Sequence, residues 1–161
     1  MKMLPLKFYN IAIPLFLVFF GINSCGSSAS AKAEQVEISF TEVLSGSHSN
    51  ITEKKNIVIS DQKELEKIFG KINSTRKPGI PIPEINFEEE TAVFLNAGEL
   101  STGGSTISVT KVLKEKENVV VEIGGRSPKP GDFVTTVITQ LFTLVKFKRQ
   151  ELPVVFRTPD Q

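Results

Sequence analysis

The chain has few of the residues on which most enzyme and metal chemistry depends. Its 161 residues include no tryptophan, one cysteine (Cys25) and one histidine (His48). A zinc or redox site needs a cluster of cysteine and histidine ligands, so neither a metal site nor a cofactor is predicted. The formal net charge is only +1, from 19 basic and 18 acidic residues. Because nucleic-acid binding needs a concentrated basic surface, this balance argues against a nucleic-acid partner.

Candidate catalytic groups are equally sparse. His48 lies in a loop of serine, glycine and asparagine at 45–50. Its residue type would allow a triad with Ser47 or Ser49 and Asp61, but the spacing of these residues does not indicate one. The three carboxylates at 88–90 are consecutive, and neighbours in a strand face opposite sides, so they do not converge on one centre. We therefore predict that the protein is not an enzyme, with a hydrolase built on His48 as a minor alternative.

The one cysteine follows a short apolar segment at the start of the chain. Lys2 and Lys7 precede an apolar run at 11–22, and Ile22-Asn23-Ser24-Cys25 closes it. This order is typical of a lipoprotein signal peptide, and the apolar run is too short for a permanent membrane span. We predict a signal peptide at 1–24, lipidation of Cys25 and a flexible tether at 25–34. A plain cleaved signal with an incidental cysteine is the alternative.

A lipidated Cys25 implies export and attachment to a bacterial cell envelope through acyl chains. Gly26 follows the cysteine, so the acidic retention signal of many inner-membrane lipoproteins is absent at this position. The sequence thus favours the outer membrane over the inner one. The expected partner is then the membrane, through the N-terminal lipid anchor.

The remaining chain, 35–161, has the pattern of a single β-rich domain. Apolar residues alternate at 36–40, and short apolar runs follow at 57–59 and 92–95. One helix is marked by Asp61 and Glu64 as a capping box, followed by a helical apolar stripe from Leu65 to Ile72. We predict a mainly β fold (α+β with one helix), an antiparallel β-sandwich or open barrel of five to seven strands. Near Gln140 the apolar pattern changes face, which predicts a bulge or bend.

Two glycine-containing loops are the candidate binding sites. One spans 98–105 and the other 124–132, and both separate predicted strands. Paired glycines allow positive φ and close approach of the backbone to a partner, and neighbouring loops can form one recognition edge. Plain strand connections would explain both loops equally well. The candidate partner-binding residues are Thr102, Gly103, Gly104, Ser105, Arg126 and Lys129.

Several of these motifs occur in the order that characterises a known family. In chain order these motifs are Ile85-Asn86-Phe87, the strand at 92–95, the Thr-Gly-Gly turn at 102–104, the Ser-Pro to Gly loop at 127–131 and the strands at 142–147 and 154–156. Together they resemble the C-terminal domain of the PrcB family of protease-complex subunits. The resemblance covers about 85–156. The chain differs from the family pattern at Ser105, where an aromatic residue is usual, and at Leu141, where a proline is usual.

The resemblance implies an exported, non-enzymatic accessory or regulatory subunit that docks on a secreted protease. A lipid anchor is common among such proteins, which agrees with the signal at Cys25. The alternative is an envelope module that binds a small molecule or glycan through the same loops. The lack of tryptophan weakens the glycan version, because sugar platforms favour large flat rings.

Overall fold

The computed structural model describes residues 35–159, and these form eight strands and one helix. The elements in chain order are β1 (Val36–Glu37), β2 (Phe40–Gly46), β3 (Lys55–Ile59), α1 (Gln62–Ile72), β4 (Glu90–Thr102), β5 (Thr106–Lys114), β6 (Val119–Arg126), β7 (Thr136–Lys148) and β8 (Val154–Arg157). The predicted signal peptide, Cys25 and the tether lie outside the described residues. Within 35–159 no helix has the length and apolar character needed to cross a membrane.

The strands form two four-stranded sheets, with the orders β1-β5-β6-β8 and β2-β7-β4-β3. Neighbouring strands are antiparallel except β6 and β8. The sheets pack as a sandwich and do not close into a barrel, so the predicted mainly β sandwich is confirmed. The strand count is higher than predicted, partly because the apolar alternation at 36–40 divides between β1 and β2, which belong to different sheets.

Alternation along the central strands supplies two apolar layers. On β4, Val93 and Leu95 face the other sheet, together with Val121 of β6, and all three are fully buried. Ala92 and Phe94 point to the opposite face, which α1 covers. This pattern explains the continuous apolar run at 92–95, because a strand buried on both faces has no wet side.

The helix begins and packs as the sequence predicts. The Asp61 carboxylate accepts a hydrogen bond from the Glu64 backbone N–H at 2.8 Å, and the Glu64 carboxylate accepts one from the Ser60 N–H at 3.3 Å. Leu65 and Phe69 then pack against Phe94 and its neighbours on β4 and β7. α1 therefore closes the outer face of the second sheet.

Two irregularities occur where β4 and β7 run past the other strands of their sheet. β4 carries an extra residue between Asn96 and Glu99, and β7 carries one between Thr136 and Thr139. The predicted irregularity near Gln140 is thus present, but the extra residue opposite Leu141 lies on β4. Gly98 occupies this bulge with φ of +79°. The extra residue returns the following apolar side chain, Leu100, to the face between the sheets.

The two ends of the sandwich differ. At the closed end, around Lys114 and Glu90, each sheet has its four strands. At the opposite end only two strands of each sheet continue, β4 with β7 and β5 with β6, and these end at the two glycine-containing loops. We call this end, formed by 97–109 and 123–141, the open end.

Candidate functional site

The structure brings the two predicted loops together at the open end. The Gly103 N–H donates a hydrogen bond to the Thr135 carbonyl oxygen at 2.9 Å, which joins the turn at 103–105 to the loop at 127–135. The Gly104 backbone lies against Pro128, since a Cβ at position 104 would be 3.4 Å from the proline Cγ. The two loops therefore form one continuous surface, which we call the loop edge.

The paired glycines of the first turn are explained by this close approach. A Cβ on Gly103 would lie 2.5 Å from the Thr135 Oγ1, and Gly104 has φ of +87°. A side chain at Gly103 would require the exposed Thr135 side chain to move, and a side chain at Gly104 is disfavoured by the backbone conformation. Thr102 is the last residue of β4 and pairs with Thr136, while Ser105 is half-buried beyond the turn. Gly103 and Gly104 thus position the loop edge.

The second loop is organised by Asp132, a residue that the sequence analysis did not select. Its Oδ2 accepts a hydrogen bond from the Lys129 N–H at 2.9 Å and lies 3.4 Å from the Arg126 Nη2. The Arg126 N–H donates to the Thr106 Oγ1 at 2.9 Å, which fixes the start of the loop to β5. The Arg126 side chain is 73% exposed, so its ion pair adds little stability and leaves the guanidinium accessible. Lys129 is also exposed.

Sequence reasoning missed the apolar part of the loop edge. Phe133 is fully exposed, and Ile138 is 60% exposed at the start of β7. Val134 and Val137 are exposed beside them, at 41% each. A shallow cavity of about 350 Å³ is lined by Phe133, Gly104 and Pro128. These side chains lie at the open end, where only β4 and β7 of their sheet continue, and no local pattern in the sequence indicates this exposure.

His48 does not sit in an assembled triad. Its Nδ1 lies 2.8 Å from the hydroxyl of the adjacent Ser47, the residue is exposed, and none of the described carboxylates is within ion-pair distance of it. Ser49 is fully buried and donates to the Asn96 Oδ1 at 2.6 Å. Asp61 is engaged in capping α1. The three groups therefore have separate structural surroundings.

The consecutive acidic residues at 88–90 lie where β4 begins. The Glu90 carboxylate pairs with Lys146 at 3.0 Å, and the Glu88 backbone N–H donates to the Asn86 Oδ1 at 3.2 Å. Within residues 35–159, no group of three or more His, Cys, Asp or Glu side chains is arranged to hold a metal ion.

A two-layer β-domain that presents a loop edge with exposed apolar side chains has the architecture of a binding module. Residues 91–148 match the family model described as PrcB C-terminal. The predicted resemblance to this family is confirmed over these residues. The match runs from β4 to β7 and includes both loops of the edge. No match was found among curated proteins or solved structures.

Proposed function

We propose that this protein is a lipid-anchored, non-enzymatic accessory subunit that docks on a secreted protease through the loop edge. The observation that carries the proposal is the meeting of the two predicted loops in one surface that exposes Phe133 and Ile138. Contiguous exposed apolar side chains are typical of protein–protein contacts, and an aromatic side chain is a common energetic centre of such contacts. The PrcB C-terminal domain supports a protease complex as the setting.

The position of the loop edge supports a protein partner rather than the membrane surface. The first described strand, β1, pairs with Leu113 and Lys114 of β5, so the domain begins at the closed end. The nine residues of β5 span about 30 Å to the open end. A flexible tether from a lipidated Cys25 would join the domain at β1, at the end opposite the loop edge. In this proposal the protein is exported, with the outer membrane favoured over the inner one.

The test is recovery of partners from the native envelope by the anchored protein. The docking variant is Phe133→Ser with Ile138→Ser, and the control is Ile82→Ser with Val155→Ser, which removes apolar side chains exposed away from the loop edge. Loss of a central aromatic anchor typically weakens binding by about 2 kcal/mol or more, roughly thirtyfold. We expect a protease with the wild type and the control, and its loss with the docking variant.

Two results would contradict the proposal. Equal recovery of the protease by both variants would mean that the loops are connectors and that docking occurs elsewhere. Capture of no protein by the wild type would remove the subunit function and favour the envelope module for a small molecule or glycan. Because the substituted side chains are exposed, a loss of folding is not the expected cause of a failure of the docking variant to recover the protease.

A further inference from the structure

A second feature of the open end lies between the sheets, behind the loop edge. The β4–β7 pair and the β5–β6 pair separate there and leave a cleft of about 450 Å³. This volume is within the range of sites that bind small ligands or short peptide segments. The last described residues, Thr158 and Pro159, complete one wall. We call this space the inter-sheet cleft.

The cleft has apolar walls that the fold leaves partly open. Leu100 and Leu141 line it from one sheet, and Ile107 and Ile123 line it from the other. All four are half-buried, whereas the equivalent inward-facing residues at the closed end, such as Val93, are fully buried. A ligand with an apolar group would cover this surface, and removing the apolar area from water would favour binding.

The charge around the cleft has one sign. Lys54 and Arg126 are the charged residues that line it, and both are exposed at its rim. Lys54 makes no ion pair within the described part of the chain, and Arg126 has only the long, solvent-exposed contact with Asp132. Two accessible cations beside apolar walls fit a ligand that joins an anionic group to an apolar group.

A polar atom in the wall distinguishes between such ligands. The Asn56 Oδ1 is buried at the cleft and has no hydrogen-bond partner. A buried carbonyl oxygen without a donor is unfavourable, and rotation of the terminal amide would turn it toward a ligand in the cleft. A peptide supplies backbone N–H donors, and a fatty acid supplies none.

We infer that the inter-sheet cleft binds the free C-terminal end of a partner polypeptide. The last, apolar side chain lies between the two sheets, the terminal carboxylate lies toward Lys54 and Arg126, and a backbone N–H donates to the Asn56 Oδ1. This inference rests on the proposed docking function for its biological setting. The C-terminal residue of the partner would bind in the inter-sheet cleft, which is a different site from the apolar contact at Phe133.

The test uses the full chain in lipid nanodiscs, because detergent would compete for an apolar cleft. The probe is a fluorescein-labelled peptide, Gly-Ser-Gly-Ser-Val-Leu, with a free C-terminus, and binding is followed by fluorescence polarisation. We expect the C-terminal amide of the same peptide to bind about tenfold more weakly. Lys54→Gln and Arg126→Gln should each weaken the free-acid peptide about tenfold, while Lys116→Gln, an exposed cation at the closed-end turn, should not change its affinity.

Decanoate is the competing probe. Competition by decanoate as strong as that of unlabelled peptide, with the same dependence on Lys54, would overturn the assignment to a peptide in favour of a fatty-acid chain. Equal binding of the amide and the free acid, or no binding of the peptide, would also overturn it.

The failure of this inference differs from the failure of the proposed function. Lys54 lines the cleft but does not belong to the loop edge. If the envelope protease is recovered by wild type while the peptide does not bind, docking stands and the cleft has another role. If the peptide binds with the expected dependence on Lys54 while no protease is recovered, the cleft assignment stands and the proposed partner is wrong.

Discussion

Asn96 is the side chain that fixes the segment after β2 to the second sheet. It is fully buried and accepts from the Ser49 hydroxyl at 2.6 Å. Its Nδ2 donates to the carbonyl oxygens of Ile51 and Glu53, at 2.9 Å and 2.7 Å. One amide therefore satisfies three polar groups of a segment that has no regular strand partner.

Replacing Asn96 by alanine should strongly destabilise the protein. Asn96→Ala leaves buried polar groups without partners, and we expect the free energy of unfolding to fall by about 3 kcal/mol. Urea denaturation of the purified protein measures this change. Asn118→Ala in the β5–β6 turn is the control and should change stability by less than about 0.5 kcal/mol, since there the backbone carbonyl makes the turn hydrogen bond. Equal effects of both variants would show that the Asn96 contacts are not important for stability.

Gly98 is the residue whose backbone makes the β4 bulge possible. It has φ of +79°, and a Cβ there would lie 2.9 Å from the Lys54 backbone nitrogen. We expect Gly98→Ala to reduce stability by about 1–3 kcal/mol. Gly70→Ala on α1, where a Cβ meets nothing within 4 Å, should instead increase stability by about 0.5–1 kcal/mol. Thermal denaturation distinguishes the two signs, and a stabilising Gly98→Ala would contradict the strain argument.

At the scale of elements, α1 shows how a local signal leads to a tertiary role. Asp61 caps the helix, and the helix then covers Phe94 and Phe142, whose ring centroids are 5.7 Å apart. The cap aligns the first turn, and the apolar stripe holds the helix on the sheet. Loss of the cap should therefore affect the stability of the whole domain.

The expected effect of removing this cap is moderate. Asp61→Ala removes the acceptor for the Glu64 N–H, and we expect a loss of about 1 kcal/mol in unfolding free energy. Asp61→Asn retains an acceptor oxygen and is the matched control, with most of the stability preserved. Urea denaturation monitored by circular dichroism provides the measurement. If both variants lose the same stability, the charge rather than the cap is what Asp61 contributes.

At the scale of the whole molecule, the two ends of the sandwich differ in how many strands and how much buried apolar surface stabilise them. The closed end has four strands in each sheet and the buried core around Val93 and Val121. The open end has two strands in each sheet and half-buried apolar walls. Binding surfaces are commonly drawn from the less stable part of a domain, because they must adapt to a partner.

This difference should be visible in hydrogen exchange. We expect backbone amides of 97–102 and 136–141 to exchange faster than those of 92–96 and 142–147 on the same two strands, because fewer strands and less buried surface protect them. Hydrogen–deuterium exchange with mass spectrometry of the free protein resolves these segments. Uniform protection along β4 and β7 would contradict the division into a closed and an open end. Slower exchange at the open end on addition of a partner would support its role in docking.

Local patterns were sufficient to predict much of the fold. Alternation and apolar runs indicated the strands, and Asp61 with Glu64 indicated the helix start, because these depend on residues close in sequence. Thr102–Ser105, Arg126 and Lys129 were selected for their glycine-rich context, and the structure places them at the open end. Asp132 and Phe133 were missed, because their roles depend on contacts that come together only when four strands end at the same place.

The sequence by itself determined the class of the domain and its family resemblance. The order of strands, turns and glycines indicated a β-sandwich that resembles the PrcB C-terminal domain, and the family match at 91–148 agrees. Only the tertiary structure decided that β1 and β2 join different sheets, that the β4 bulge returns Leu100 to the inter-sheet side, and that a cleft lined by Lys54 and Arg126 opens there. The physical reason is separation in sequence: strand pairing and burial are set by residues many positions apart, so no local pattern records which side chains remain exposed.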